Sequence, residues 1–411
     1  MDLLKSLSKL KKMSGQELTF RSRQKIRQEV EKLRFRRSQQ GELHDLFFPE
    51  EMRNSPKMSK LRFRDDLHFF GISDDPQKFS TEFRRFFPRQ YKAIIMEADR
   101  LLEHRFHLLG IDFSFPGEVQ WTRNPQSGKD YPDVYYAMFN TGNPHLYGDV
   151  KYVWELNRHQ FFIDVGMAYF LTREEKYAEK ILEWLESWIA ANPFKIGINH
   201  TSVLEHAVRV FSWVWTYFLT RHSAAWTDTR RKKLLEQLFL HAVFIEENLS
   251  FYYSPYNHLI GELAALSFLG IVLDGPEQPR IWREKYWNEL AGQLPHQFSP
   301  DGFTVEQASY YHHFTLGFYI QVALLRQNNN YNVNEDVWAF IENAVEFSFY
   351  LTRPDGRIPM IGDIDSARSL YFGRPDEMWD LRYFQAIGAA VFKNSNLNLL
   401  AESSFHELSW L

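Results

Sequence analysis

The sequence predicts an all-α protein of antiparallel helical hairpins, built either as an incomplete (α/α) toroid or barrel or as a plain multi-helix bundle. Three observations carry this expectation. Apolar residues recur at helical spacing from about residue 77 onward. The helical patterns are separated by short breaks with turn chemistry, the arrangement of helical hairpins. Strand signals are sparse, the best being Asp133 to Phe139, which also reads as an extended loop.

In chain order, Phe79 to Phe106 forms one long amphipathic pattern, and Trp154 to Leu171 a second. A capping box, Thr172 to Glu175, predicts the start of a helix through Ala190; another, Ser202 to Glu205, opens one through Leu219. Further helical patterns cover 229–249, 257–273, 279–294, 305–327, 335–352 and 376–393. Asn192-Pro193, Asp274-Gly275-Pro276, Ser299 to Gly302 and Pro354 to Gly356 punctuate them. With 411 residues and 44% hydrophobic content, the chain exceeds most single cores unless the core is toroidal or repetitive. No sequence repeat of fixed length is present.

Composition narrows the function classes. There are no cysteines, which excludes disulfides and thiolate metal sites. The net charge of −4 argues against a general nucleic-acid binder. Residues 1–39 hold twelve Lys/Arg against four Asp/Glu, which leaves −12 for the rest. This basic head reads as a solvated helix face packed on the body, or as a contact for anionic polymer or a membrane surface. No run approaches the roughly 18 apolar residues of a membrane span, and the first residues lack the apolar stretch and cleavage site of a secretory signal. Aromatic residues are abundant, with 36 Phe, 20 Tyr and 12 Trp; most must fill the core of a helical protein, although such rings also stack on sugars.

Four clusters combine groups that chemistry would need. Trp154 and Arg158 lie one helical turn apart, with Asn157 between them, and an indole beside a guanidinium suits an acidic sugar; the competing reading is a structural cation–π pair. Glu205 and Arg209, at i and i+4 after Asn199 and His200, read first as a structural salt bridge. Asn257, His258 and Glu262 enter an apolar helix, as capping residues or as a site. The richest cluster runs from Asp301 to Phe314, where a turn delivers Glu306, Gln307, Ser309, Tyr310, Tyr311, His312 and His313; His313 reads as a helix-surface residue. Asp363 and Asp365 offer paired carboxylates of the kind an inverting glycosidase uses, or a loop-structuring turn.

Taken in order, the motifs around Trp154 to Arg158, Asn199 to Trp213, Asn257 to Glu262, Asp301 to Tyr311 and Gly362 to Asp365 resemble those of the heparinase II/III-like polysaccharide lyases, over roughly residues 80–400. The arm around Met13 to Glu17 is similar to versions of the family found among bacterial cell-surface polysaccharide genes.

The resemblance implies a basic helical arm over 1–75, an α/α toroid over 76–400, and at 401–411 the start of a linker to a C-terminal β-sandwich that this chain does not contain. It implies β-elimination at a uronic acid of an anionic polysaccharide. By the resemblance, Asn257 neutralises the substrate carboxylate with His258 beside it. Tyr311 is the catalytic tyrosine, with Tyr310 as the fallback. Trp154, Asn157, Arg158, Glu205, Arg209, Glu262, Glu306, Gln307 and Tyr310 are cleft or supporting groups. A further catalytic histidine, and zinc where it occurs, belong to the β-sandwich, so no cofactor is expected in this chain, which alone is expected to be a poor catalyst. The family context suggests the periplasm or cell envelope. A non-catalytic anionic-glycan-binding module and an α/α-barrel glycoside hydrolase are the rival expectations.

Overall fold

The structure, a computed structural model, describes residues 13–38, 43–49, 58–364, 368–371 and 379–399. Among them the principal helices are α1 Gly15–Arg37, α2 Pro76–Phe86, α3 Pro88–Leu102, α4 Val150–Asn157, α5 Gln160–Thr172, α6 Glu175–Ala191 and α7 Val203–Thr220. They continue with α8 Asp228–Asn248, α9 Asn257–Val272, α10 Glu277–Gln297, α11 Ser309–Asn328, α12 Glu335–Leu351 and α13 Arg382–Phe392. Two small antiparallel pairs complete the frame, β1 Arg62–Phe63 with β4 Leu273–Asp274, and β2 Arg105–Leu108 with β3 Ile111–Ser114.

The helices alternate between an inner and an outer row. α5, α7, α9 and α11 pack side by side, while α6, α8, α10 and α12 each return along the outside. Composition explains the sorting. Every residue of α7 from Leu204 to Thr220 is buried, and α9 buries nearly its whole length, as the mostly apolar inner helices of a ring do. The outer α10 buries a stripe instead, through Trp282, Tyr286, Leu290 and Leu294. At Gly270 a side chain would run into the backbone of Arg283, so glycine lets α9 and α10 lie backbone to backbone. The result is an incomplete α/α toroid whose inner helices run parallel, with their N-termini at one end.

Several boundaries differ from the sequence expectation. The pattern over 79–106 is two helices divided at Phe87, because Pro88 restarts the chain at a first helical position, and it ends in β2. The pattern over 154–171 is also two helices, with His159 at φ +56 between α4 and α5. Neither expected capping box closes: the Thr172 hydroxyl accepts the Glu174 N–H at 3.2 Å and donates to the Ala168 carbonyl, but Glu174 is the N-cap of α6, and Ser202 caps α7 without a side-chain bond while Glu205 is drawn to Arg158. The helix expected from 305 begins at Ser309, which leaves Glu306 and Gln307 in the preceding turn. Asp133 to Phe139 is an extended segment with a single bridge from Tyr135 to Ile196 and a 3₁₀ turn.

The basic arm docks through polar groups. Arg21 donates to the Tyr252 carbonyl at 2.7 Å, Arg27 to the Glu247 carbonyl at 2.7 Å, and Lys195 reaches Glu31 at 2.7 Å. Leu61, Phe63, Leu67, Phe69 and Phe70 join the main core, so the packed body reaches back beyond residue 76.

Candidate active site

The N-terminal ends of the inner helices bring the predicted groups together at one end of the toroid. α9 begins at Asn257 without a side-chain cap on Tyr256, and a carboxylate from another segment does the capping. Glu306 accepts the Asn257 side-chain Nδ2–H at 2.7 Å and the Asn257 backbone N–H at 3.3 Å. An anion at this position meets an otherwise unpaired helix N–H and the positive end of the helix dipole. Burial pushes the Glu306 carboxyl up from its ordinary value, the Asn257 hydrogen bonds pull it down, and the charge of Asp363 raises it again.

α11 supplies the phenols. The turn before it is held by Gln307 at φ +55, a left-handed conformation sparsely used by non-glycine residues. Ser309 then ties the helix start to a returning loop, its N–H donating to the Ile361 carbonyl at 3.0 Å and its hydroxyl to the Pro359 carbonyl at 2.6 Å. Gly362, at φ +74, lies so close to Ala308 that an added Cβ would sit 2.7 Å from the Ala308 Cβ. That approach delivers Asp363 to the helix, where the Tyr311 hydroxyl donates to Asp363 Oδ2 at 3.2 Å. Tyr310 turns into the core, whereas Tyr311 remains partly exposed. Asp365, the second of the predicted carboxylates, lies outside the described residues.

The neighbouring histidines are not on the surface as expected for His313. His312 and His313 are both buried, His312 with Nε2 at 3.0 Å from the Ala344 carbonyl and His313 with Nε2 at 2.6 Å from the Ser348 hydroxyl. They join α11 to α12, and burial lowers both pKa values. His258 is partly buried beside Asn257.

The cationic residues singled out in the sequence are sequestered. Arg158, only 3% exposed, donates two parallel bonds to Glu205 at 2.8 and 2.9 Å and a third to Glu155 at 2.5 Å. Glu205 therefore pairs with Arg158, not with Arg209 one turn along its own helix. Arg209 is fully buried and donates to the carbonyls of Asn199 and Asn157 at 2.7 and 3.2 Å and to His241 Nε2 at 3.1 Å, with its guanidinium over the Trp188 ring. Trp154 donates to the Ile198 carbonyl at 3.3 Å. Asn157 Oδ1 accepts from Trp188 at 2.8 Å and from Asn199 at 2.9 Å. Glu262 accepts the backbone N–H and hydroxyl of Ser250 at 2.7 and 2.6 Å, and burial pushes its carboxyl up to about 8.

Sequence reasoning missed the shell beneath these groups. His159, His200, His206 and His241 surround Arg209, with His200 Nδ1 2.9 Å from His206 Nε2 and Trp213 donating to His159 Nδ1 at 2.9 Å. Burial lowers the pKa of all four, and the Arg209 charge adds to the effect. His159 and His200 lie inside motifs the sequence singles out, but their convergence with His206 and His241 on Arg209 joins separate segments and leaves no local pattern. Among the described residues, no group of three or more His, Asp or Glu is arranged to hold a metal ion.

The all-helical toroid is the fold of solved heparinase and alginate lyase structures. Solved structures of similar fold include a heparinase III, with a TM-score of 0.52 and 20% identity over 76% of this chain and 47% of that one. A heparan sulfate lyase from Pedobacter heparinus has a TM-score of 0.52 and 18% identity, covering 79% of this chain and 49% of that one. An alginate lyase from Bacteroides ovatus has a TM-score of 0.51 and 13% identity, covering 82% of this chain and 95% of that one. Residues 87–374 match the family described as Heparinase II/III N-terminus, and the chain belongs to that family. Among curated proteins, it is 25% identical over 319 residues to a heparin-sulfate lyase of Bacteroides thetaiotaomicron, covering 70% of this chain and 42% of that protein. It is 24% identical over 216 residues to a heparin-sulfate lyase of Pedobacter heparinus, covering 51% of this chain and 32% of that protein. The chain thus spans less than half the length of these curated relatives.

Proposed function

We propose that this chain forms the helical, substrate-cleft part of a polysaccharide lyase that cleaves an anionic polysaccharide by β-elimination at a uronic acid. The observation that carries the reading is the convergence of Asn257 and Tyr311 through Glu306 and Asp363 at one end of the toroid.

The chemical difficulty is the C5–H bond of the uronate, which is too weakly acidic until the neighbouring carboxylate is neutralised. In this reading the Asn257 amide hydrogen-bonds that carboxylate and stabilises the enolate-like intermediate. His258, beside it, is the candidate to accept the C5 proton. As the C4–O4 bond breaks and a C4=C5 double bond forms, O4 takes a proton, and the Tyr311 hydroxyl, protonated as it donates to Asp363, supplies it. Tyr310, buried in the core, is less suited to that role. Arg158, Glu205, Arg209, Asn157 and Glu262 are assigned to the frame, because protein partners occupy their polar groups.

The test is incubation of the protein with heparan sulfate and with alginate. Products with the ultraviolet absorbance of an unsaturated uronate, lost in Tyr311→Phe, are expected. We expect the 411 residues alone to turn over poorly. Glycan binding without unsaturated product would favour a binding module, and saturated reducing ends would favour a hydrolase.

A further inference from the structure

Resting on that reading, we propose that Glu306 is a positioning residue for Asn257: it fixes which end of the amide faces the substrate. Both Glu306 oxygens are spent on this one residue, Oε1 on the side-chain Nδ2–H and Oε2 on the backbone N–H. A two-point grip holds the place of the helix start and the rotation of the amide together. An amide has an N–H₂ edge and a carbonyl edge of similar shape, and a buried Asn without a directing partner can present either. With Nδ2 turned to Glu306, one of its two N–H bonds is taken and the second is directed away from the clamp. That second N–H is the donor a uronate carboxylate needs; the opposite orientation would set carbonyl oxygen against carboxylate.

The surroundings maintain the clamp. Glu306 is itself held by a turn in which Thr304 accepts the Gln307 N–H on its carbonyl at 3.1 Å and the Glu306 N–H on its hydroxyl at 3.4 Å. The left-handed Gln307 is the cost of that turn, a conformation a non-glycine residue holds only where the surrounding structure overdetermines it. The helix N–H and the side-chain N–H both favour a charged Glu306, whereas burial and Asp363 oppose it. Glu306 therefore acts through Asn257 without touching the reacting atoms.

The test uses Glu306→Ala and Glu306→Gln in the full protein, with whichever of heparan sulfate or alginate the wild type cleaves and its carboxyl-methylated form. Displacing the amide predicts a fall in kcat of roughly 100-fold for Glu306→Ala, with a smaller fall for Glu306→Gln, which keeps one acceptor. Discrimination between the carboxylate and methyl-ester substrates should collapse in Glu306→Ala, which a merely destabilising change would not do. A second readout needs no activity: in protein labelled with ¹⁵N at asparagine, the Asn257 side-chain amide signal should shift in Glu306→Ala. Unchanged kinetics beside an active wild type, or an unmoved amide signal, overturns the positioning role alone. A wild type that yields no unsaturated product overturns the lyase reading and takes the positioning role with it.

Discussion

Arg158 is gripped by Glu205, 47 residues further along the chain, through parallel bonds from Nε and Nη2 at 2.8 and 2.9 Å. The pair joins the end of α4 to the first turn of α7, and Glu155 closes it into a buried acid–base–acid triad. Taking three charges out of water is costly, and the geometry offsets that cost only while all three are present.

Arg158→Met is accordingly expected to destabilise the protein by about 3–5 kcal/mol, since it leaves two carboxylates buried without their cation. Replacing Glu155, Arg158 and Glu205 together by apolar residues of similar volume should cost far less. Denaturant unfolding of the single and triple variants checks this, and equal losses would show that the triad is not coupled.

Acid should unfold the protein early. His159, His200, His206, His241, His312 and His313 all have folded-state pKa values below the ordinary 6.5, from burial first. The unfolded chain therefore takes up these protons first, so the associated stability is complete above 6.5 and is lost as pH falls. Each group weakens the fold by up to about 1.4 kcal/mol per pH unit. All six act in the same direction, so their destabilisation deepens together as pH falls below 6.5. Circular dichroism against pH should show unfolding begin between about pH 5 and 6, and a fold stable at pH 4 would contradict the expectation.

Glu262 acts in the opposite direction. Its carboxyl is raised from 4.5 to about 8 by burial, so it favours the fold most below 4.5 and loses that contribution as pH rises towards 8. Melting temperature should decline on the alkaline side of its maximum. In Glu262→Gln that decline should flatten, although one of the two Ser250 donors loses its acceptor.

Gly362→Ala should separate Asp363 from Tyr311. The added methyl meets Ala308, and φ +74 disfavours alanine there, so a loss of roughly 1–3 kcal/mol is expected. Lyase activity should fall further than stability does, which a thermal melt and a product assay measured side by side would separate.

The helical hairpins were legible from apolar spacing and the turns between them, whereas the sorting into inner and outer rows shows only in burial, complete along α7 and nearly so along α9 but confined to a stripe on α10. The breaks at His159 and Gln307 were not, since a left-handed non-glycine residue is imposed by tertiary contacts and leaves no local mark. The i, i+4 rule paired Glu205 with Arg209, but that rule describes solvated helix faces; inside a ring of helices the nearest cation belongs to another helix. Asn257 and Tyr311 stood out by motif. Glu306 and Asp363 stood out as well, but their pairing with these two residues did not, because the Asn257–Glu306 contact spans 49 residues and the Tyr311–Asp363 contact spans 52.

The buried Arg209 also sets an order of events during synthesis. Its guanidinium accounts for the Asn199 carbonyl ten residues back and the Asn157 carbonyl 52 residues back. Until α7 has emerged from the ribosome, the first hairpin has two carbonyls unmet and the Glu205 partner of Arg158 missing. α4 to α6 therefore have no finished native state of their own, and the ring starts to set only when α7, the second inner helix, arrives to lock the segments before it.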